Sequence, residues 1–244
     1  MQNELTPVQQ VKNTLVAMTP QFESILPGHV SVKKFMQTLN VAILNDKNLL
    51  SKDRASLFKA CLELASMGLS PGGSDAALIA YGPKVDARVM IGGLLRLIRE
   101  SGEVKSILAE LVYKNDSFEY VVSSDGIIFN HKPDYFGVRG ERIGAYAYAI
   151  LKDGTPLVEV LTNNDIAAIK SCSKGSGGPW ASFEEQMIKK SCIRRLSKRL
   201  PLTQQASAAV ESDDQFYEMP KEEPKTVRDI KPSLNDLVSE GEVL

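Results

Sequence analysis

The chain is poor in the residues that most enzymatic chemistry needs. Two histidines stand among 244 residues, His29 in a Pro-Gly-His turn and His131 at the end of a strand-like run. No GxSxG, HExxH or clustered metal-ligand spacing accompanies either, so both are expected to be structural and no enzyme is expected. The glycine-rich segments lack the GxxxxGK[ST] form that cradles nucleotide phosphates, which removes the usual sign of an ATP motor. Cysteine is scarce as well. Cys61, Cys172 and Cys192 are odd in number and show no CxxC spacing, which argues against a disulfide framework and a zinc site alike. No run of about 18 apolar residues exists, and no basic segment followed by an apolar one opens the chain. Neither a membrane span nor a signal peptide is indicated, and the expected setting is cytoplasmic, with no membrane partner.

What is present divides unevenly. The hydrophobic fraction of 43% is enough for one sizeable core. The net charge of −1 hides an asymmetry: residues 1–200 carry 25 Lys and Arg against 20 Asp and Glu, whereas residues 201–244 carry 4 against 10. A basic body followed by an acidic tail fits a polyanion binder whose tail recruits other proteins or screens the site.

Along the chain, Val8, Val11 and Leu15 mark a first amphipathic helix, closed at Thr19-Pro20, and residues 22–27 add a short second one. Ser31 is placed to cap a third helix whose apolar side holds Phe35, Leu39, Ala42 and Ile43. A fourth begins near Asp53, with Phe58, Cys61, Leu62 and Ala65 inward and Gly68 as its stop. Residues 77–81 and 87–91 then read as a β-hairpin joined by residues 82–86. Gly92-Gly93 leads into a helix with Leu94, Leu95 and Ile98 inward, and exposed amides at its start would suit a phosphate. Strands are predicted over 107–113, 118–122, 127–131, 144–151 and 157–161, in an antiparallel sheet, followed by a helix over 163–170 capped by Asn163 or Asn164. After Pro201 the composition turns to Gln, Ser, Asp, Glu and Pro, so residues 204–230 are expected to be a disordered linker, with a terminal helix at Leu234, Leu237 and Val238 as a partner-binding element.

The stretch that organises the rest is 176–200. Gly-rich residues 173–178, Pro179 and the lone Trp180 open a helical pattern that runs until Pro201 blocks it. At 3.6 residues per turn Ile188, Cys192, Leu196 and Leu200 share a core face, while Lys190, Arg194 and Lys198 form a ridge on roughly the opposite side. Arg195 and Arg199 make a second basic row. Six basic residues over 189–199, with no acid among them, are expected to meet an external polyanion rather than internal partners. Like charges at i, i+4 repel, so the row costs helix stability and suggests another use.

These features, in their order and spacing, resemble the RecT family of phage-type single-strand annealing recombinases. The resemblance rests on Gly68-Leu69-Ser70-Pro71-Gly72 before the hairpin, residues 93–102 ending in Arg99-Glu100-Ser101-Gly102, and His131-Lys132-Pro133. It rests most on Gly178-Pro179-Trp180 followed by Glu184, Met187, Lys189-Lys190, Ile193-Arg194-Arg195-Leu196 and Leu200-Pro201. The chain departs from the family at Met90-Ile91, where members commonly carry Gly-Tyr, and Tyr81 is the aromatic that would substitute.

The resemblance implies an α+β core and an ATP-independent protein that coats single-stranded DNA and anneals it to a complementary strand. It also implies a homo-oligomer in ring or helical filament form, with a processive exonuclease and the host single-strand-binding protein as partners. The expected organisation is a helical arm over 1–30 for oligomer contacts, an annealing core over 31–202 and an acidic flexible tail over 203–244. The expected DNA-binding residues are Lys190, Arg194, Lys198, Arg195, Arg199 and Lys189, with Trp180 either stacking on or wedging between bases or capping the core beside Pro179, and Lys174, Arg88 and Arg96 on the other wall of the groove. The bound DNA is a single strand or annealed duplex, and no cofactor is expected, with Mg²⁺ at most modulating annealing. Two alternatives are weighed against this reading. One is a metal-dependent nuclease using Glu184, Glu185, Asp116 or Glu119, and the other a non-catalytic oligomeric scaffold.

Overall fold

A computed structural model describes residues 6–124, 126–172 and 178–214. The first quarter is helical, as its periodicity requires: α1 (Pro7–Ala17), α2 (Thr19–Ile25), α3 (Val32–Asn45), α4 (Lys47–Leu50) and α5 (Arg54–Ser66). Their starts are set by side-chain caps. Thr6 and Gln9 form a capping box ahead of α1, Ser31 accepts from the Lys34 amide, and Asp53 accepts from the Ser56 amide at 2.8 Å. Gly68, at φ +69°, ends α5, because the left-handed turn there suits a residue without Cβ.

Val11, Leu15, Phe22 and Leu26 are buried in the same apolar cluster as Phe35, Leu39 and Ile43, with the Phe22 and Phe35 rings 5.7 Å apart. The described part of the segment expected as an oligomer-contacting arm is therefore a wall of the core. Short amphipathic helices can hide their apolar stripes only by packing, and α3 and α5 offer the nearest faces. On α5 the inward stripe is Leu57, Ala60, Cys61, Leu64 and Ala65, with the predicted Phe58 and Leu62 displaced to its margin. Helix α5 packs on the hairpin beside it.

That hairpin, β1 (Ala76–Tyr81) and β2 (Lys84–Val89), is tighter than its sequence suggests, since Gly82-Pro83 alone makes the turn, with Gly82 at φ +54°. Tyr81 pairs with Lys84 at the turn end, while Met90 follows the far end, so Tyr81 cannot replace an aromatic at position 90 or 91. Helix α6 (Ile91–Glu100) starts with its glycines pressed on a neighbouring backbone. A Cβ on Gly92 or Gly93 would collide with Ser74 or Asp75, and Gly93 is buried. Leu94, Leu97 and Ile98 point inward, Leu97 taking the place predicted for Leu95.

Strands β3 (Val104–Tyr113), β6 (Arg142–Leu151) and β7 (Pro156–Thr162) form an antiparallel sheet in the order β3-β6-β7, and β4 (Ser117–Ser123) and β5 (Gly126–Lys132) form a separate hairpin. Period-two alternation divides β6. Ala145, Ala147 and Ala149 join the main core, and Tyr146 and Tyr148 face the β4–β5 hairpin, where Phe129 stacks on Tyr148 at 5.1 Å. Helices α7 (Asn163–Ser171), α8 (Pro179–Ser182), α9 (Glu184–Ser197) and α10 (Gln204–Asp214) complete the fold, which is α+β. The cap of α7 is Thr162, in a capping box with Asp165, one residue before the expected asparagines.

Two predicted features are corrected here. The single helix expected over 179–200 is interrupted at Phe183, whose φ of −138° and ψ of 44° are not helical and whose side chain is exposed. The tail expected to be flexible from 203 is helical to Asp214, with Ala206, Ala209 and Val210 buried. Positions 234–238 lie outside the described residues.

Candidate nucleic-acid interface

Helix α9 packs on β3, β6 and β7 through Ile188, Cys192 and Leu196, the stripe its periodicity predicts. Burial pushes the Cys192 thiol up to about 12. The six basic residues over 189–199 do have internal partners, because acids distant in sequence reach them. Lys189 meets Glu110 at 2.9 Å, and Lys190 meets Asp213 at 2.7 Å while donating to the Val89 carbonyl. Arg194 Nη1 lies 3.4 Å from Asp214, and Lys198 Nζ 2.6 Å from its other oxygen. Arg195 reaches Glu159 and Asp165 at 3.4 and 3.5 Å; Arg199 reaches Glu159 at 3.7 Å and donates to the Val158 carbonyl. The expectation of an unmatched basic row is corrected: the acids come from β3, β7, α7 and α10, which composition along α9 alone cannot reveal.

The cations fall into two sets. Lys190 and Arg194 lie under the end of α10, Arg194 being buried. Arg195, Lys198 and Arg199 form an outer edge with side chains 40%, 55% and 46% exposed. Pairs this wet contribute about 0–1 kcal/mol each, so their cations exchange partners at little cost. Beside this edge, Asp165, Ala168, Ile169, Cys172, Arg194 and Arg195 line an open cleft of about 240 Å³. Cys172 directly precedes the Gly-rich segment 173–177, which lies outside the described residues together with Lys174.

Other predicted site residues are placed elsewhere. Trp180 is 4% exposed and belongs to the main core, so its ring is not presented to a base; its Nε1 finds no hydrogen-bond partner among the described residues. Arg96 braces the Gly68 turn, with Nε 3.0 Å from Asp75 and Nη2 donating to the Gly68 carbonyl. Arg88 sits half-buried on β2 opposite Ala77. Arg96 is thus tied to the turn ahead of the hairpin.

Three of the four carboxylates weighed for a nuclease are engaged by cations or a phenol, and Glu119 is exposed on β4. Glu184 meets Lys170 at 2.6 Å and Arg142 at 3.3 Å, and these hold its carboxyl below the usual range, Lys170 most of all. Glu185 accepts from the Tyr113 hydroxyl. The Asp116 side chain is fully buried; Arg139, 2.6 Å away, with help from His131 and the Tyr113 amide, holds its carboxyl far below the usual range. Among the described residues no group of three or more His, Cys, Asp or Glu stands together as a metal site needs.

Two features escaped sequence reasoning. One is the buried network in which His131 joins Tyr146 through Nδ1 and Asp116 through Nε2, each at 3.1 Å, while Arg139 stacks between Tyr113 and Tyr135. It braces the loop that carries the fully exposed Phe136. The other is α10. Its signal was present: Thr203 as cap, and Ala206, Ala209 and Val210 at i, i+3, i+4.

Comparison with known proteins bears directly on this arrangement. The RecT family model matches residues 33–229. The chain belongs to the RecT family. A relative, protein RecT of Escherichia coli (strain K12), is 32% identical over 214 residues, covering 81% of this chain and 77% of its own. The RecT family is one of recombination and annealing proteins, and the chain is one of them. The RecT match extends beyond Asp214, so α10 and its contacts with α9 lie inside the family region. No helix among the described residues is long and apolar enough to cross a membrane.

Proposed function

We infer that the chain binds single-stranded DNA without ATP and anneals it to a complementary strand. Annealing requires phosphates to be held while bases stay free to pair, so contacts should be cationic and blind to sequence. The observation that carries this reading is the outer edge of α9, where Arg195, Lys198 and Arg199 are half exposed and paired only with partly exposed acids. A phosphate approaching from solvent can replace those acids one at a time. Repeating the edge around a ring or along a filament of identical subunits would neutralise the repulsion between two strands. Pairing energy then supplies the direction. An exonuclease that exposes the single strand and a single-strand-binding protein complete the proposed set of partners, with Mg²⁺ at most a modulator.

The test is incubation of labelled complementary strands with the protein and Mg²⁺, without ATP. Faster duplex formation is expected; shortened strands would point to a nuclease, and no effect to a scaffold. Within the site, replacing Arg195 and Arg199 by Ala should weaken binding to all sequences alike and lower the slope of log affinity against log salt by about 1.4, at roughly 0.7 for each phosphate no longer neutralised. An unchanged slope removes this edge from the DNA site.

A further inference from the structure

Two adjacent acids, Asp213 and Asp214, close the described part of α10. Asp213 is 2% exposed, and its Oδ2 has no hydrogen-bond partner among the described residues. The helix is held by both apolar contact and charge. Its apolar grip consists of Ala206, Ala209 and Val210, against α6 and β2, while Ser212 donates to Glu63 at 2.7 Å. Against this small grip stand three ion pairs to α9: Lys190–Asp213 at 2.7 Å, Lys198–Asp214 at 2.6 Å and Arg194–Asp214 at 3.4 Å. Two adjacent carboxylates on three cations spaced i, i+4, i+8 offer the same charge and the same acceptors as two neighbouring phosphates.

We propose that α10 is a charge-held gate, whose Asp213 and Asp214 occupy on Lys190, Arg194 and Lys198 the places that phosphates of a bound single strand take when the helix lifts. The proposal rests on the annealing reading above. It makes Lys190, Arg194 and Lys198 a second tier of the site, closed in the free protein. A strand first engages Arg195, Lys198 and Arg199 at the open edge. It then competes with the carboxylates for the inner cations. Lys198 belongs to both tiers and is the point at which the exchange begins. Because the gate is an ion-pair lock, free carboxylates reclaim the cations when the DNA leaves.

Two measurements on the full chain test it. The first is anisotropy of a labelled oligothymidine across a salt series, with the wild type and with Asp213→Asn/Asp214→Asn. The double variant should bind about tenfold tighter with the salt slope unchanged, because the wild type holds the same phosphates once its gate has lifted. The second is hydrogen exchange of residues 204–214 in the wild type, which needs no variant to fold. Saturating oligothymidine should speed their exchange at least severalfold. If the wild type binds but the variant is no tighter, or if these amides keep their protection in the complex, the gate is wrong while the annealing reading stands. If the wild type does not bind the oligonucleotide at all, both are wrong.

Discussion

Lys190 Nζ lies 2.7 Å from Asp213 Oδ1, a contact that joins the basic helix to a segment whose composition assigns it to solvent. The folded unit therefore extends at least to Asp214 rather than stopping near Thr203. Ending the chain after Asp214 keeps α10 and serves as the reference for a shorter truncation. Ending it after Thr203 uncovers the surface on which Ala206, Ala209 and Val210 dock and leaves Lys190 and Arg194 without Asp213 and Asp214. A stability decrease of about 2–4 kcal/mol is expected, read from urea unfolding of both truncations. Equal midpoints would show that α10 contributes nothing to the fold.

Asp116 anchors the loop through Arg139 and His131. Replacing it by Asn should cost about 3 kcal/mol, because the neighbouring guanidinium keeps its burial and loses its counter-charge. The same group sets an acid limit. Its folded-state pKa is depressed, so its contribution is fully present above the unfolded carboxylate range and is lost as pH falls through about 4 toward the folded value. The midpoint of unfolding should fall in that window for the wild type and fall less for Asp116→Asn.

Cys61 and Cys192 are buried, with burial raising each thiol to about 12, whereas Cys172 lines the open cleft beside α9. Ellman's reagent at neutral pH should titrate one thiol in the folded protein and three in denaturant. Rapid reaction of two thiols in the folded state would contradict the packing of α5 or α9.

Trp180 supplies a direct optical check, being the single tryptophan of the chain. Its emission should be blue-shifted and resist acrylamide, as a core indole does. An oligonucleotide should quench it little. Strong quenching on binding would restore the base-stacking role that the folded structure denies.

Gly93→Ala places a methyl group against the Asp75 backbone, so one of the two must shift. Overpacking of this kind costs about 1–3 kcal/mol. Chemical denaturation should register it; a neutral result would mean that the turn at residues 72–75 gives way.

Much of this protein follows from sequence alone, wherever a local rule has no rival. Caps at Ser31 and Asp53, the stop at Gly68, the alternating strands and the core stripe of α9 all depend on neighbours a few residues away. The motif order from Gly68 to Pro201 sufficed to place the chain in its family. Partnership over long separations was decided only by the tertiary structure. Whether Lys190 faces solvent depends on an aspartate 23 positions later, and whether Arg195 is matched depends on β7 and α7. Trp180 and Phe183 show the same limit, since both are aromatic beside a basic helix, and a break at Phe183 leaves one in the core and the other in water. Charge and apolarity are properties of residues, while burial and pairing are properties of the surfaces that the fold brings together.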